Sequence, residues 1–146
     1  MLRANVKDED LAKASLAALG KIDAAIEKIE DEALADALME LAAEDPRYVL
    51  VCSDSGLVIK AQPFIDQFPD RIFEVGIAEQ NAVNVAAGLA SCGLVPFLAT
   101  YSGFITMRAC EQVRSFVAYP NLNVKLIGAN GGMASGEREG VTHQFF

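Results

Sequence analysis

The sequence has no tryptophan, a single histidine and three cysteines among its 146 residues. One histidine leaves little room for a histidine-based metal centre or a catalytic triad. The cysteines are far apart and odd in number, which indicates neither a disulfide framework nor a zinc site. We therefore expect Cys52, Cys92 and Cys110 to be small residues of the core.

Positive charge is also scarce. The chain carries 12 Lys and Arg against 20 Asp and Glu, which gives a net charge of −8 at pH 7. This balance disfavours nucleic acid, whose phosphate backbone requires compensating cations. No apolar run is long enough to cross a bilayer, and the N-terminus lacks the apolar block and cleavage site of a signal peptide. The sequence therefore predicts a cytoplasmic protein that binds neither nucleic acid nor membrane.

Hydrophobic residues are plentiful, at 52% of the chain, which is enough for one packed domain. Residues 1–31 are rich in Ala, Leu, Glu and Lys, and this composition predicts a helical extension. The segment "DEALADALMELAAEDP" places leucines at spacings of four and three. This pattern predicts an amphipathic helix that ends before Pro46.

Strands and helices alternate through the rest of the domain, which we place at residues 32–146. The strand candidates are "YVLVCS", "RIFEVG", "VPFLATY" and "NVKLIGAN", and the helix candidates are "EQNAVNVAAGLASCG" and "GFITMRACEQVRSFVAY". Apolar strands that alternate with helices predict an α/β fold with a mainly parallel sheet and helices on both faces. A doubly wound domain usually continues beyond four strands, so we expect this domain to be incomplete at its C-terminus.

The predicted strands end in segments with the small, polar or aromatic character of a site. These ends read "SDSG", "VGIAEQ", "TYSGF" and "GANGG", and ligands of open parallel sheets bind beyond them. Glu79 lies there, within a stretch that is otherwise apolar or small. One interpretation is a carboxylate stabilised by the positive end of a helix. The following helix is too apolar for a solvated face, so the other interpretation is a buried carboxyl group that shares a proton with a ligand.

A longer segment carries a family resemblance. "FPDRIFEVGIAEQNAVNVAAGLASCGLVPFLATYSGF" resembles the pyrimidine-binding domain of transketolase and of deoxyxylulose-phosphate synthase. The resemblance runs from about Pro46 to Gln144, and "RACEQVRSF" and "EGVTHQ" follow in the family's order. These enzymes use thiamine diphosphate, so the resemblance implies their cofactor-binding fold. It implies that Glu79 bonds N1′ of the aminopyrimidine and favours the imino tautomer, which removes the C2 proton of the thiazolium.

The resemblance also assigns residues to the cofactor pocket. Tyr101 and Phe104 match aromatic positions that hold the aminopyrimidine, although aromatics at a strand end are most often core residues. Met107 stands where a further aromatic is common in the family. Asp54 matches the position of an acidic residue close to the cofactor across the dimer interface, and Ser55 beside it is assigned to the cofactor as well. The ordinary alternative for this pair is a turn or a helix cap.

Two further residues are assigned to catalysis and substrate. The family's "GEDGPTHQ" places its histidine in the substrate channel, and His143 in "GEREGVTHQ" matches it, which implies a catalytic and substrate-binding role. A lone histidine is otherwise most often structural or exposed. Glu139, a substrate-binding candidate, stands where transketolases carry Asp, in a loop one residue longer. Asn130 replaces a second family histidine. These departures bear on the sugar-phosphate substrate more than on the cofactor.

The resemblance covers only half of such a site. The "GDG" and downstream Asn that mark the diphosphate- and metal-binding domain are absent from the chain. The implied protein is therefore one subunit of a split transketolase, which transfers a two-carbon ketol unit between sugar phosphates and is inactive alone. A partner subunit would hold the diphosphate and Mg²⁺ or a similar divalent ion, and this chain would hold no metal.

Two alternatives accompany this interpretation. The first is a non-catalytic fragment or a binding and dimerisation module that keeps the fold. The second is a flavodoxin-like domain, for which "SDSGLVIK" is a poor phosphate-binding turn. In the helix "EQNAVNVAAGLASCG", small residues stand where a surface helix would carry Lys and Glu. We therefore expect this helix to be an interface element, in a homodimer or a dimer of unlike pairs.

Overall fold

A parallel sheet forms the centre of the fold. The computed structural model describes residues 33–56 and 59–131. The strands are β1 (Tyr48–Cys52), β2 (Ile72–Glu74), β3 (Val95–Tyr101) and β4 (Lys125–Ala129). All three pairings between them are parallel, and the strand order is β2-β1-β3-β4. This confirms the predicted α/β fold with a parallel sheet. The predicted extension at residues 1–31 lies outside the described residues.

Helices connect the strands. Helix α1 spans 33–44, α2 spans Gln62–Gln67 and runs on to a 3₁₀ turn at Pro69–Arg71, and α3 spans Glu79–Ser91. The helical segment at 102–118, here α4, consists of π-helical turns at Phe104–Arg108 and Val113–Ala118 around an α-helical turn at Cys110–Gln112. Gly93 ends the α3 turn with a φ of +91°, a left-handed conformation that favours glycine. Both predicted helices after β2 are therefore present.

The two faces of the sheet bury separate clusters of side chains. On one face, Leu38 of α1 and Phe64 of α2 pack with Leu50. On the other face, Val83 of α3 packs with Val51. Leu50 and Val51 are neighbours in β1 and point to opposite faces, because side chains alternate along a strand. Every residue of β1 beyond the first is buried, which explains why its sequence is apolar without a polar alternation.

Helix α2 was not predicted from the sequence. It has only six residues, and Pro63 occupies its first turn. Six residues are too few for an apolar periodicity to be recognisable. The helix is held instead by Phe64, which is fully buried against the sheet. Packing of this one side chain therefore decides the local structure.

The prediction that all three cysteines are core residues is wrong for two of them. Cys52 is buried in β1, but Cys92 and Cys110 are exposed. Cys92 caps the end of α3, and Cys110 lies on the outer side of α4. The apolar character of cysteine favours burial, but these two positions fall on helix surfaces that the described residues leave uncovered.

Within the described part of the chain, no helix is both long and apolar enough to span a bilayer.

The cysteine environments predict two classes of reactivity. Burial raises the pKa of the Cys52 thiol to about 12, which keeps it protonated and unreactive at neutral pH. Ellman's reagent should therefore label Cys92 and Cys110 rapidly in the native chain and Cys52 only after unfolding. The measurement is the time course of thiol release with and without denaturant. Three thiols that react at one rate in the native chain would contradict the placement of β1.

Gly128 predicts a packing constraint in β4. A Cβ atom at Gly128 would lie 2.9 Å from the Cβ atom of Ser102 and 3.0 Å from its Cα atom. Gly128→Ala should therefore lower the free energy of unfolding by about 1–3 kcal/mol. Gly88→Ala is the matched control, because a Cβ atom there meets nothing within 4 Å and the residue is helical.

We expect Gly88→Ala to raise the free energy of unfolding by about 0.5–1 kcal/mol, since alanine loses less backbone entropy than glycine in a helix. Chemical denaturation of both variants measures the difference. Equal stabilities would show that β4 does not approach Ser102 closely.

Candidate functional site

The carboxyl ends of the four strands meet at one edge of the sheet, as predicted from their parallel arrangement. Glu74, at the end of β2, connects two of the loops there. Its Oε1 atom accepts hydrogen bonds from the backbone N–H groups of Asp54, at 2.6 Å, and Gly76, at 3.1 Å. Asp54 and Gly76 both have positive φ angles, +54° and +72°. One carboxylate therefore holds two tight turns side by side.

Buried hydroxyl groups fasten the loop after β1 to β3. The Ser55 hydroxyl donates to the Ala99 carbonyl at 2.7 Å, and the Ser53 hydroxyl donates to Thr100 Oγ1 at 2.7 Å. Ser55 is 1% exposed and also accepts the Ser53 N–H at 3.3 Å. The Ser55 side chain therefore has a structural role in the fold, and its assignment to cofactor binding stays a prediction. Asp54 beside it is exposed, in a loop that Glu74 and these hydroxyls hold from both sides.

Glu79 is the first residue of α3, and its side chain is only 2% exposed. No side chain caps this end of the helix. The Arg108 guanidinium of α4 donates from Nη1 to Glu79 Oε2 at 2.7 Å. The buried carboxylate therefore has both a helix N-terminus and a cation to compensate its charge.

Arg108 also contacts the predicted aromatic pocket. Its guanidinium carbon lies 4.2 Å from the centroid of the Phe104 ring, and Phe104 meets Tyr101 edge to face with the centroids 5.8 Å apart. The π-helical turn sets this arrangement, because the Ala109 N–H donates to the Phe104 carbonyl five residues earlier. The structure thus brings Glu79, Phe104 and Tyr101 into one contact series through Arg108.

Sequence reasoning did not identify Arg108 or Glu74. Arg108 lies 29 residues from Glu79 along the chain, so no local spacing relates them. The available signal was indirect: a carboxylate in an apolar stretch requires a compensating cation, and "TMRAC" supplies one a turn after Phe104. Glu74 gave no signal, because an acidic residue at the end of a strand is common.

Apolar surface borders this contact series. Ile77, two residues before Glu79, is 73% exposed, and Met107, next to Arg108, is 69% exposed. Exposed apolar side chains next to a polar site are typical of surfaces that a ligand or another chain covers. Met107 stands where a further aromatic is common in the family, and its exposed side chain is available for such a contact.

Of the remaining residues named from the sequence, Asn130 lies within the described part of the chain, at the carboxyl end of β4. His143 and Glu139 lie outside the described residues. Asn130 follows β4 with a φ of +52°. Across residues 33–56 and 59–131, no group of three or more His, Cys, Asp or Glu side chains is placed to hold a metal ion.

An open α/β sheet with a buried carboxyl group and an edge-to-face pair of rings at its carboxyl edge is typical of ligand-binding domains of the α/β class. The family model "Transketolase, pyrimidine binding domain" matches residues 30–145, and the chain belongs to this family.

Two curated relatives are single subunits or sections of transketolases. The chain is 41% identical over 108 residues to "6-deoxy-6-sulfo-D-fructose transketolase subunit SqwH" of Clostridium sp. (strain MSTE9), a match over 74% of this chain and 33% of the relative. It is 38% identical over 109 residues to "Putative transketolase C-terminal section" of Methanocaldococcus jannaschii, over 75% and 34%. The chain therefore spans about a third of the length of these relatives.

A solved structure agrees with the fold. The chain is 42% identical to "Split gene transketolase, inactive beta4 tetramer", with a TM-score of 0.64 over 69% of this chain and 34% of that one. The resemblance inferred from "VGIAEQN" is confirmed at the level of the family and of the parallel α/β fold.

Glu74 should control the order of the strand-end loops. Glu74→Ala removes the acceptor of the Asp54 and Gly76 N–H groups, and we expect amide hydrogen exchange at both positions to accelerate by about tenfold or more. Glu74→Gln keeps a neutral acceptor of the same size and should retain most of the protection. Unchanged exchange in Glu74→Ala would show that the two turns hold their shape without the carboxylate.

Proposed function

We propose that this chain is the pyrimidine-binding portion of a thiamine-diphosphate-dependent, transketolase-like enzyme. With a partner chain it would transfer a two-carbon ketol unit between sugar phosphates. One observation carries the proposal: the Glu79 carboxyl group is buried at the start of α3 and stands in one contact series with the rings of Phe104 and Tyr101. Membership of the transketolase family supports it.

The residues present fit an aminopyrimidine. A buried carboxyl group can form a strong hydrogen bond to a ring nitrogen, because little water competes for it. Phe104 and Tyr101 offer ring surface on which a flat heterocycle stacks. Asp54 is exposed at the same edge of the sheet and is available to a cofactor or to a partner chain. Glu79, Tyr101, Phe104 and Asp54 are thus the residues that we assign to the cofactor.

When bound, thiamine diphosphate supplies the acidic thiazolium carbon through which the ketol unit is carried. The work of this chain is to orient the pyrimidine and to hold a proton at its N1′ atom. Glu79 is suited to that work because its position at the start of α3 leaves it out of contact with solvent. In the same proposal His143 and Glu139 bind the sugar phosphate, and His143 also takes part in catalysis.

A partner chain completes the site in this proposal. The relative from Clostridium is named as a transketolase subunit, and so is a relative from Actinobacillus succinogenes that belongs to an apulose-4-phosphate transketolase. The chain is 46% identical to the second relative over 95 residues. The partner would bind the diphosphate and Mg²⁺ or a similar ion, whose contacts supply much of the affinity for the cofactor.

The outer side of α3 and α4 is suited to a subunit interface. A groove of about 610 Å³ lies between these helices, and no residue that lines it is charged. Its walls include Asn84, Gly88 and Ser91 of α3 and Phe116, which is 52% exposed. Small side chains on a helix permit close approach of another helix. This groove supports a homodimer or a dimer of unlike pairs.

A second candidate function is a non-catalytic assembly module. It is favoured by the solved structure described above, which is an inactive tetramer of a split transketolase chain. A chain of this kind that assembles with copies of itself would keep the fold without a complete site. Activity that appears only when the diphosphate-binding subunit is added distinguishes the two candidates.

Glu79→Gln tests the proposed mechanism in the complex assembled with that subunit. Gln keeps the size and can still bond a ring nitrogen, but it cannot relay a proton. Exchange of the cofactor's C2 proton, followed by NMR, should slow by about 10²–10⁴-fold. Glu44→Gln is the matched control, because Glu44 is exposed in α1, whose core residues pack on the other face of the sheet. Wild-type exchange in the Glu79→Gln complex would remove Glu79 from the mechanism.

A further inference from the structure

Arg108 makes both of the contacts that the proposed function assigns to the aminopyrimidine. Its Nη1 atom donates to Glu79 Oε2 at 2.7 Å. Its guanidinium carbon stands 4.2 Å from the centre of the Phe104 ring. One side chain therefore engages the carboxyl group and the stacking surface at the same time.

The guanidinium and the aminopyrimidine have similar binding chemistry. Both are flat and both stack on aromatic rings, and an aminopyrimidine protonated at N1′ presents a nitrogen-bound hydrogen to a carboxylate, as a guanidinium does. Charge-assisted bonds from a guanidinium to a carboxylate are short and strong. The two groups would compete for Glu79 and Phe104.

The burial of the two partners differs sharply. The Arg108 side chain is 46% exposed, whereas that of Glu79 is 2% exposed. Arg108 has a solvated position to move into, and Glu79 has none. A buried carboxylate without a counter-charge is strongly destabilising, so Glu79 requires a partner whenever the ligand is absent.

We propose that Arg108 is an internal stand-in for the aminopyrimidine, which closes the pyrimidine subsite in the empty chain and swings into solvent when the ligand binds. This inference rests on the proposed function. The Arg108 side chain would compensate the charge of the buried Glu79 carboxylate until the cofactor and the partner chain bind. The closed pair also lowers the apparent affinity for the ligand, by the fraction of molecules in which the site is open.

The first test measures affinity in the full chain with a named probe, 4-amino-5-hydroxymethyl-2-methylpyrimidine, titrated into the millimolar range and followed by NMR. Arg108→Met keeps the length of the side chain but removes the charge and the flat donor group. If the pair is closed about ten times as often as it is open, Arg108→Met should bind the probe about tenfold more tightly than wild type.

The chain offers a matched control. Arg114→Met removes another α4 arginine that pairs with a carboxylate, Glu111, at 3.0 Å, but both members of this pair are exposed, Arg114 at 73% and Glu111 at 60%. This variant should bind the probe as wild type does. Without the probe, Arg108→Met should melt at a lower temperature than wild type, because Glu79 loses its counter-charge. A stand-in is shown by lower stability together with higher affinity for the probe. Substitution of a purely structural residue would lower both.

A second measurement needs no substitution in the protein that is titrated. In a chain labelled with ¹⁵N-arginine, the Arg108 side-chain signal is assigned by its absence from Arg108→Lys, which keeps a cation beside Glu79. Added probe should move this signal toward its position in Glu79→Gln, in proportion to the bound fraction. This readout decides the matter if Arg108→Met fails to fold.

The outcomes separate the inference from the proposed function. Probe binding that leaves the Arg108 signal unmoved, or binding by Arg108→Met that is equal to or weaker than wild type, overturns the stand-in and leaves the pyrimidine site intact. Absence of binding by both chains up to the solubility of the probe overturns the site and the stand-in together.

Discussion

The pairing of β1 with β3 is the constraint on which the rest of the structure depends. These two strands lie at the centre of the sheet and pair in parallel over five residues, from Tyr48 opposite Val95 to Cys52 opposite Ala99. Leu50 and Ala99 supply one core, and Val51 and Leu98 supply the other. Because the pairing is parallel, every strand of the sheet ends at the same edge, and the site is assembled there.

The site combines hydrogen-bonded loops at the strand ends with the carboxylate of Glu79, whose charge these loops do not compensate. Hydroxyl groups from Ser53 and Ser55 bind the loop after β1 to the end of β3, and Glu74 binds that loop to the turn after β2. Glu79 is then buried at the start of α3, where its own helix offers the positive end of a dipole. The compensating cation comes from Arg108 on a different helix, which remains half in solvent. In the inference proposed above, burial of a functional carboxyl group and stability of the empty chain are reconciled because this partner can be displaced.

Uncharged surface lies beside the site and also further along α3 and α4. Ile77 and Met107 expose apolar side chains beside the site, and the groove between α3 and α4 carries no charged residue. In the proposed function, such surface suits a domain that contributes half of a site to an assembly, because the other half must approach closely and exclude water.

The sequence alone determined the parallel α/β fold, the four strands, helices α1 and α3, the helical character of α4 and the family. These features are local. Apolar runs such as "YVLVCS" are recognisable within a few residues, and the motif "VGIAEQN" identifies the family without the rest of the sequence. It also indicated that Glu79 is a candidate site residue, because a charged side chain stands there in an otherwise apolar or small segment.

Only the tertiary structure decided what each of these residues touches. Helix α2 forms because Phe64 docks into the core, and Cys92 and Cys110 are exposed because their helices present them outward. The hydroxyl of Ser55 is committed to the carbonyl of Ala99, which is 44 residues away, and Glu79 to Arg108, which is 29 residues away. Such contacts depend on how whole elements pack against the sheet. No periodicity or spacing along the chain encodes them, because the partners become neighbours only when the chain has folded.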